Sequence, residues 1–316
     1  MKTEIGTEIG SALTLLQAGQ QVAIPTETVY GLAADANNED AVLGIFSAKG
    51  RPHANPLILH FAQLDQALPY IQDFPDIFKS LAEHFCPGPL TFIVPKSSLV
   101  SELITGGQET VAIRFPKHPM MQQLLKDLGR PLAAPSANLY GQLSPTTAAH
   151  VFAQLQGRIP YILDGGACTE GLESTIIGMA NERVQIYRFG SITPEQLAAH
   201  LGYIPEAKVH EHGDVRTSGM VKYHYATKTP LYLGIKPQGN TDPILQILLQ
   251  DNPKIDEPKM ILSESGSLIE AAQNLYAVLH EADQKGLRQI FVETFPDEGL
   301  GAAMNDRLSR AAAKFQ

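Results

Sequence analysis

The stretch QVAIPTETVYGL, residues 21–32, joins an apolar run to a polar loop and decides the fold class. Its first four residues are typical of a short buried strand, and a proline, two threonines and a glutamate follow directly. A loop that leaves the end of a buried strand is a common place for a ligand. The structural alternative is a turn whose threonine and glutamate side chains cap the next element.

Apolar runs of this kind recur along the first two thirds of the chain, separated by segments with helical periodicity. Helical spacing of apolar residues predicts helices around residues 42–46, 77–85 and 151–155. Alternation of strands and helices predicts an α/β domain. The predicted strands are residues 21–24, 57–61, 90–94, 111–115, 131–134, 161–163, 174–178 and 184–188.

A second group of elements follows a polar connection. Thr193, Pro194 and Gln196 have the spacing of a helix cap, a first helical residue and a capping-box partner, and they predict a helix to about residue 201. Strand-like runs return at 231–234, 260–262 and 289–293, with helices at 267–282 and from about 300. We therefore predict a domain over 1–205, an interdomain linker over 206–229 and a small α/β domain over 230–316.

Composition limits the classes of function. The chain has 316 residues, 44% of them hydrophobic, and a formal net charge of -9. An acidic surface disfavours tight, sequence-independent binding to nucleic acid, so any anion site must be a local pocket. The two cysteines, Cys86 and Cys168, lie far apart and suggest neither a disulfide framework nor a zinc site. No run reaches the roughly 18 to 20 apolar residues of a membrane span, and the first 16 residues are typical of an amphipathic helix start. We expect a cytoplasmic protein without membrane association.

Two cations flank a glycine in KGRP, residues 49–52, and Asn55 and His60 follow. Lys49 and Arg51 together could hold a polyphosphate where Gly50 lets the backbone approach. A solvated surface pair is the alternative. His60 closes an apolar strand, where a satisfied core histidine is the alternative to a ligand contact.

Arg114 lies inside the strand pattern TVAIRFP, residues 110–116. Alternation places Val111, Ile113 and Phe115 on one face and Arg114 on the other, with Thr110. A buried arginine needs an anionic partner, which could be a protein carboxylate or a substrate carboxylate.

Small and polar residues end several other predicted strands. APSAN, residues 134–138, could approach a phosphate or ribose, and an Asn/Ser turn with a helix cap is the alternative. Ser144, Ser174 and Arg188 are placed similarly. Neither GxSxG nor HExxH is present, which favours catalysis by positioning and electrostatics.

In their order and spacing, PTETVYGLAAD, KGRP, NPL with a histidine, AIRFP, APSAN and STI resemble the YrdC-type threonylcarbamoyl-AMP synthase family. The resemblance spans about residues 9–201, and the second unit looks like the small C-terminal domain of longer members. It implies an α/β fold with a twisted mixed sheet and a concave active-site groove, plus a smaller Rossmann-like C-terminal domain. The family's linker reads SPGM followed by KYRHYAP, whereas residues 217–227 here read TSGMVKYHYAT and lack both prolines.

Residue by residue, the resemblance implies two catalytic cations, a nucleotide site and a threonine site, with no metal ligand from the protein. The catalytic pair is Lys49 and Arg51. The nucleotide set is Lys49, Arg51, Asn55, Thr110, Ser136, Asn138, Ser144, Arg188 and Tyr225. The L-threonine set is Thr28, His60, Arg114, the Ala134 backbone and Ser174.

The implied reaction joins L-threonine, bicarbonate and ATP, with magnesium, into threonylcarbamoyl-AMP and pyrophosphate. The product would pass to a threonylcarbamoyl transferase complex that modifies an adenosine in tRNA, and at most weak tRNA contact is expected. Two rivals remain: a carbamoyl-transfer module, and an RNA-binding translation factor that uses the same groove.

Overall fold

A computed structural model describes residues 1–208, 224–235, 244–255 and 258–316. In that part of the chain the strands form one eleven-stranded mixed sheet and one four-stranded sheet. The first sheet comprises β1 (Glu4–Gly6), β2 (Val22–Ile24), β3 (Gly31–Asp35), β4 (Ile58–His60), β5 (Leu90–Pro95), β6 (Thr110–Arg114), β7 (Leu132–Ala133), β8 (Tyr161–Leu163), β9 (Thr175–Ala180), β10 (Arg183–Arg188) and β11 (Glu206–Ala207).

The helices that accompany this sheet are α1 (Ile9–Gln17), α2 (Glu39–Lys49), α3 (Leu64–Ala67), α4 (Asp76–Phe85), α5 (Glu102–Thr105), α6 (Pro119–Leu128), α7 (Ala148–Leu155) and α8 (Pro194–Leu201), with a 3-10 turn at Leu68–Tyr70. The capping box predicted at the start of α8 is present, because Thr193 and Gln196 bond reciprocally. None of the helices in the described ranges combines the length and the apolar character needed to cross a bilayer.

Strand order brings the central polar residues together. The sheet runs β1-β8-β2-β3-β7-β4-β6-β5-β9-β10-β11. Parallel β4 and β6 place His60 directly opposite Arg114. The predicted alternation in β6 is confirmed, since Val111 and Ile113 pack in the main core while Ala112 packs with Ile58 on the other face. His60 and Arg114 therefore project from the face opposite the main core.

The second sheet confirms an α/β unit. It contains β12 (Leu231–Leu233), β13 (Ile244–Leu248), β14 (Lys259–Ile261) and β15 (Gln289–Val292), with α9 (Leu268–Gln284) and α10 (Gly299–Ala312). Its order is β12-β15-β13-β14, and each of these pairings is parallel. Its Rossmann-like topology and the bounds of the three predicted segments stay predictions.

The core of the second unit includes residues from the first. Val29, Leu143, Leu172 and Tyr225 are buried in the same apolar cluster as the inner faces of α9 and α10. At Gly171, where φ is +73°, a Cβ atom would lie 2.4 Å from the Cα of Gln273 in α9. The two units are therefore packed backbone against backbone at this point, with no space for an additional methyl group.

Four strands differ from the sequence prediction, and one of them is β11, which lies at the start of the segment predicted as a linker. Residues 4–6 form an edge strand paired with β8, and helix α1 begins later, at Ile9, so the helical prediction for the first residues is wrong. β3 lies where a loop was predicted, because residues 31–35 are fully buried and lack the alternation that marks a half-buried strand. β13 lies in a run that was not recognised as a strand.

Candidate active site

A pocket that is partly open to solvent lies on the face of the first sheet that carries His60 and Arg114. We call it the site cavity. It is lined by Thr26, Thr28, Val29, Gly31, Ile58, His60, Arg114, Ala134, Pro135, Ser136, Glu173, Arg188, His224 and Tyr225.

Four of the five residues predicted to hold threonine line this cavity: Thr28, His60, Arg114 and Ala134. Ser174 lies next to the lining residue Glu173, and its hydroxyl is 2.7 Å from that of Thr91. Sequence positions more than a hundred residues apart are thus brought together by the order β3-β7-β4-β6.

Arg114 has a protein carboxylate as its partner. Its NH2 group donates to Glu27 at 2.7 Å, and the other oxygen of Glu27 accepts from the Lys117 backbone at 3.0 Å. The Nε of Arg114 is buried and has no hydrogen-bond partner. The guanidinium is therefore held by Glu27 on one side and retains a buried donor for a second anion.

His60 is neutral at physiological pH. Burial, together with the charge of Arg114, lowers the pKa of His60 to about 3, although backbone contacts act in the opposite sense. Its Nδ1 lies 3.2 Å from the Ile58 carbonyl oxygen. This histidine can accept or donate a hydrogen bond in the cavity without adding charge.

The two predicted catalytic cations are buried, so a solvated surface pair is wrong. Lys49 ends α2, and Gly50 takes a left-handed conformation (φ 64°) that turns the chain toward Arg51. Lys49 and Arg51 are 2% and 6% exposed. The ammonium of Lys49 donates to the carbonyls of Ser136 (2.6 Å) and Asn138 (2.5 Å).

Arg51 is fixed in the same manner, with Nε and NH2 donating to the carbonyls of Asn55 and Pro56. In the described ranges neither Lys49 nor Arg51 has a carboxylate within ion-pair distance. Burial and the Arg51 charge lower the pKa of Lys49 well below its usual value, and burial lowers that of Arg51 to about 10. Two desolvated cations without a carboxylate partner form an anion site.

Some of the remaining residues of the predicted nucleotide set line the site cavity, and others lie outside its lining. Ser136, Arg188 and Tyr225 line the cavity. Asn138 donates through Nδ2 to the Leu139 and Gln142 carbonyls, while its buried Oδ1 has no partner. Asn55 donates to the Tyr140 hydroxyl, and Ser144 donates to Glu173. Thr110 lies outside the cavity lining, at the start of β6, four residues from Arg114.

Two residues of the predicted linker, His224 and Tyr225, lie in the site. Both line the cavity and both are buried. Tyr225 adopts a left-handed conformation (φ 61°), and Ala226 donates to the Gly141 carbonyl at 2.9 Å. Burial lowers the pKa of His224 to about 3. The linker thus reaches the cavity at its described end; residues 217–223 of the motif lie outside the described residues.

Sequence reasoning missed the carboxylates of the site. Glu27 orients Arg114, and Glu173 accepts from Ser144, Tyr276 and Arg307. A signal existed for each, because Glu27 lies inside the polar loop that was singled out and Glu173 directly precedes the STI motif. Their partners could not be read from the sequence, since they lie between 29 and 134 residues away.

Residues 14–190 match the Sua5/YciO/YrdC family model, described as telomere recombination, and residues 192–313 match the model of the threonylcarbamoyl-AMP synthase C-terminal domain. The threonylcarbamoyl-AMP synthase of Bacillus subtilis is 39% identical over 96% of this chain and 93% of its own length. That of Pyrococcus abyssi is 37% identical over 96% of this chain and 94% of its own.

Solved structures that resemble this chain also include a P. abyssi protein. The crystal structure of P. abyssi Sua5 complexed with L-threonine matches with a TM-score of 0.88 at 33% identity, covering 98% of this chain and 97% of that chain. The E. coli YciO structure, at 21% identity and a TM-score of 0.53, covers 60% of this chain and 94% of that chain, and it shares the fold alone. The chain therefore belongs to the threonylcarbamoyl-AMP synthase family, in the form that carries the family's C-terminal domain.

Proposed function

We propose that this protein is an L-threonylcarbamoyladenylate synthase, which joins L-threonine, bicarbonate and ATP into threonylcarbamoyl-AMP and releases pyrophosphate. The observation that carries the proposal is the pairing of two anion sites. A buried arginine with an unused donor lines the site cavity, and two buried cations that have no carboxylate partner in the described part of the chain lie next to its wall, where Lys49 donates to the Ser136 carbonyl. An amino acid and a nucleotide need these two kinds of site.

Arg114 is the proposed partner of the threonine carboxylate. Glu27 fixes one edge of the Arg114 guanidinium, so the side chain already has one orientation before the substrate binds. The Nε–H is then in place to donate to the threonine carboxylate. Thr28, His60, the Ala134 backbone and Ser174 surround the remaining polar groups of threonine. A neutral His60 is compatible with an uncharged amine, which the next step requires.

The proposed chemistry has two steps. Bicarbonate loses hydroxide to give CO2, and the unprotonated amine of threonine forms a C–N bond with this CO2 and releases a proton to give a carbamate, so that water is the net by-product. A carbamate oxygen then attacks the α-phosphorus of ATP, and the bond from that phosphorus to the pyrophosphate oxygen breaks. No covalent enzyme intermediate is required, so rate acceleration comes from positioning and from stabilisation of charge on the phosphates.

Lys49 and Arg51 are the proposed catalytic cations. Each uses part of its hydrogen-bonding capacity on backbone carbonyls, and each retains hydrogens for phosphate oxygens. The rest of the nucleotide would be held by Ser136, Asn138, Ser144, Arg188 and Tyr225. Asn55, which donates to the Tyr140 hydroxyl, and Thr110, the first residue of β6, complete the proposed set.

Magnesium is proposed to arrive with ATP. Within the described ranges no group of three or more His, Cys, Asp or Glu side chains could hold a metal. Mg²⁺ keeps several waters and prefers phosphate oxygens, so Mg·ATP needs no resident protein site. When bound, the ion supplies further neutralisation of the phosphate charge.

The product is a labile mixed anhydride, so we propose direct use by a threonylcarbamoyl transferase complex that modifies tRNA. The protein's own contact with tRNA would be weak because its net charge is -9. A cytoplasmic location is proposed because Cys86 and Cys168 are both free thiols, as is usual in a reducing compartment.

The deciding experiment measures pyrophosphate release from Mg·ATP with L-threonine and bicarbonate each present or omitted, and detects the adenylate product by mass. We expect release that needs both co-substrates and a product containing AMP, a carbonyl and threonine. Release that ignores threonine would replace the proposal with carbamoyl transfer. No release together with salt-dependent tRNA binding would replace it with an RNA-binding role.

A further inference from the structure

Glu173 lies in the wall of the site cavity, yet neither predicted substrate set contains it. It is buried two residues before β9, and the next residue is Ser174 of the threonine set. The Ser174 carbonyl accepts from Arg188 Nε (3.1 Å) and NH2 (2.9 Å). The Glu173 backbone is therefore part of the segment that presents a predicted threonine contact and anchors a predicted nucleotide contact.

The carboxylate of Glu173 is saturated with donors. One oxygen accepts from the Ser144 hydroxyl at 2.6 Å and from the Tyr276 hydroxyl at 2.9 Å. The other accepts from Arg307 Nε at 2.8 Å. Tyr276 belongs to α9 and Arg307 to α10, so two of the three side chains that hold this carboxylate come from the C-terminal unit.

The same unit contacts the site at further points. Arg307 NH2 donates to the Phe189 carbonyl, next to Arg188, and its guanidinium lies 5.1 Å from the ring centre of Tyr225. His280 of α9 donates from Nε2 to the Ser144 carbonyl at 3.1 Å, since a carbonyl can only accept. Ser144 is thus held at its side chain through Glu173 and at its backbone by α9.

Electrostatics decide what Glu173 does. Burial favours the protonated form, but the charges of Arg307 and Arg188 and the hydrogen bonds from Ser144 and Arg307 outweigh it and lower the pKa of Glu173 to about 2. A carboxylate that stays ionised and fully hydrogen-bonded is a poor proton acceptor. Burial and Glu173 raise the pKa of Tyr276, so its phenol stays protonated and remains a donor.

We infer that Glu173 is a positioning residue through which Tyr276 and Arg307 of the C-terminal unit orient Ser144 for the nucleotide. Because Glu173 takes the hydrogen of the buried Ser144 hydroxyl, only the lone pairs of that oxygen remain for a nucleotide hydroxyl or the metal ion that ATP brings. Arg307 meanwhile offsets a carboxylate charge that would otherwise repel the phosphates. The C-terminal unit thereby completes the nucleotide site, and this inference rests on the proposed function.

The test compares Glu173→Gln, Ser144→Ala, their double variant and Tyr276→Phe. Hydrogen bonds to a charged group typically change affinity by about tenfold or more when lost. We expect Glu173→Gln to raise the KM for ATP about tenfold with a smaller change in kcat. The double variant should resemble the worse single variant, because the two residues act through one contact. Tyr276→Phe removes one hydroxyl without changing charge and should raise the KM for ATP about threefold.

Tyr232→Phe is the matched control, since Tyr232 stacks on Phe291 in the same unit, in contact with neither Glu173 nor Ser144. Glu270→Gln is the carboxylate control. Glu270, in the first turn of α9, also accepts from two serine hydroxyls, those of Ser263 and Ser265 in the loop before that helix. Both should keep the wild-type KM for ATP. Thermal midpoints and ATP binding by calorimetry are measured for all variants.

The inference is overturned if Glu173→Gln and Tyr276→Phe lose thermal stability but keep the wild-type KM and calorimetric affinity for ATP, or if the effects of Glu173→Gln and Ser144→Ala add. A wild-type protein that fails to release pyrophosphate with both co-substrates would instead remove the proposed function. Calorimetry with ATP alone would then still decide whether Glu173 and Tyr276 shape a nucleotide site.

Discussion

Lys49 and Arg51 combine two properties that rarely occur together, burial and the use of backbone carbonyls in place of carboxylates. Carbonyl dipoles hold each cation in position but leave its charge largely uncompensated. Arg51 keeps its charge, because its pKa is lowered only to about 10, so the folded protein carries the desolvation cost of that charge before ATP binds and the phosphates recover it. Positioning in advance of binding is how charge stabilisation becomes effective in catalysis.

Arg51→Ala tests this charge directly. We expect kcat/KM for pyrophosphate release to fall by about 100-fold or more, which is typical when one electrostatic contact to a reacting group is lost. The thermal midpoint should change little, because removal of an uncompensated buried charge offsets the lost packing. Arg183→Ala is the control, since Arg183, the first residue of β10, lies over the Tyr203 ring. A full rate for Arg51→Ala at saturating substrate would remove Arg51 from the catalytic pair.

The lowered pKa of Lys49 leads us to expect that the protein takes up a proton when ATP binds. Burial and Arg51 lower its pKa in the free protein, and a bound polyphosphate raises it again. At any pH between these two pKa values, ATP binding should take up a proton. Calorimetry in buffers with different ionisation enthalpies measures the number of protons. Lys49→Met should lose that uptake, and a binding enthalpy independent of the buffer in the wild type would contradict the assignment.

Sequence alternation predicted the face of the sheet from which Arg114 projects, because period two is a local property of a strand. It could not supply the partner of Arg114. Glu27 lies 87 residues earlier in the chain and meets the arginine only through the strand order. The sequence also left the exposure of KGRP open, since burial of a turn depends on what packs over it.

Helix α8 is an element that the sequence predicted almost completely. The cap at Thr193, the proline at the first position and Gln196 are all local signals, and the structure has each of them. β3 was missed for the opposite reason. Its five residues are buried on both faces, so no alternation distinguishes it from the preceding loop.

The capping box permits a quantitative prediction. Thr193→Ala should lower the free energy of unfolding by about 1 kcal/mol, because it leaves a backbone N–H at the start of α8 without its acceptor. Thr193→Ser keeps the hydroxyl and should lose much less. Urea denaturation measures both variants. Equal losses for alanine and serine would attribute the effect to the missing methyl group and not to the cap.

At the scale of the molecule, buried neutral histidines connect folding to pH. The pKa values of His60 and His224 are lowered to about 3, and that of His150 to about 4. In the unfolded chain a histidine titrates near 6.5. Between these values the unfolded chain binds protons that the folded protein does not, so stability falls as the pH decreases from about 6.5.

We therefore expect the free energy of unfolding to fall by up to about 1.4 kcal/mol per pH unit for each such histidine below pH 6.5. Urea midpoints between pH 7 and pH 4.5 measure the slope. His224→Asn should reduce the slope, whereas His53→Gln, at an exposed position, should leave it unchanged. A midpoint that stays constant over this range would contradict the burial of neutral imidazoles.

The ion pair between Glu173 and Arg307 also has a consequence for biosynthesis, because its two members are 134 residues apart. A ribosome releases the first sheet well before it makes α10. Before α9 and α10 are made, Glu173 has Ser144 but neither Tyr276 nor Arg307, and Val29, Leu143 and Leu172 lack their apolar neighbours from these two helices. A nascent chain can therefore form its sheet early but acquires a closed site only with its last helix. Premature termination before that helix should give protein without a working site.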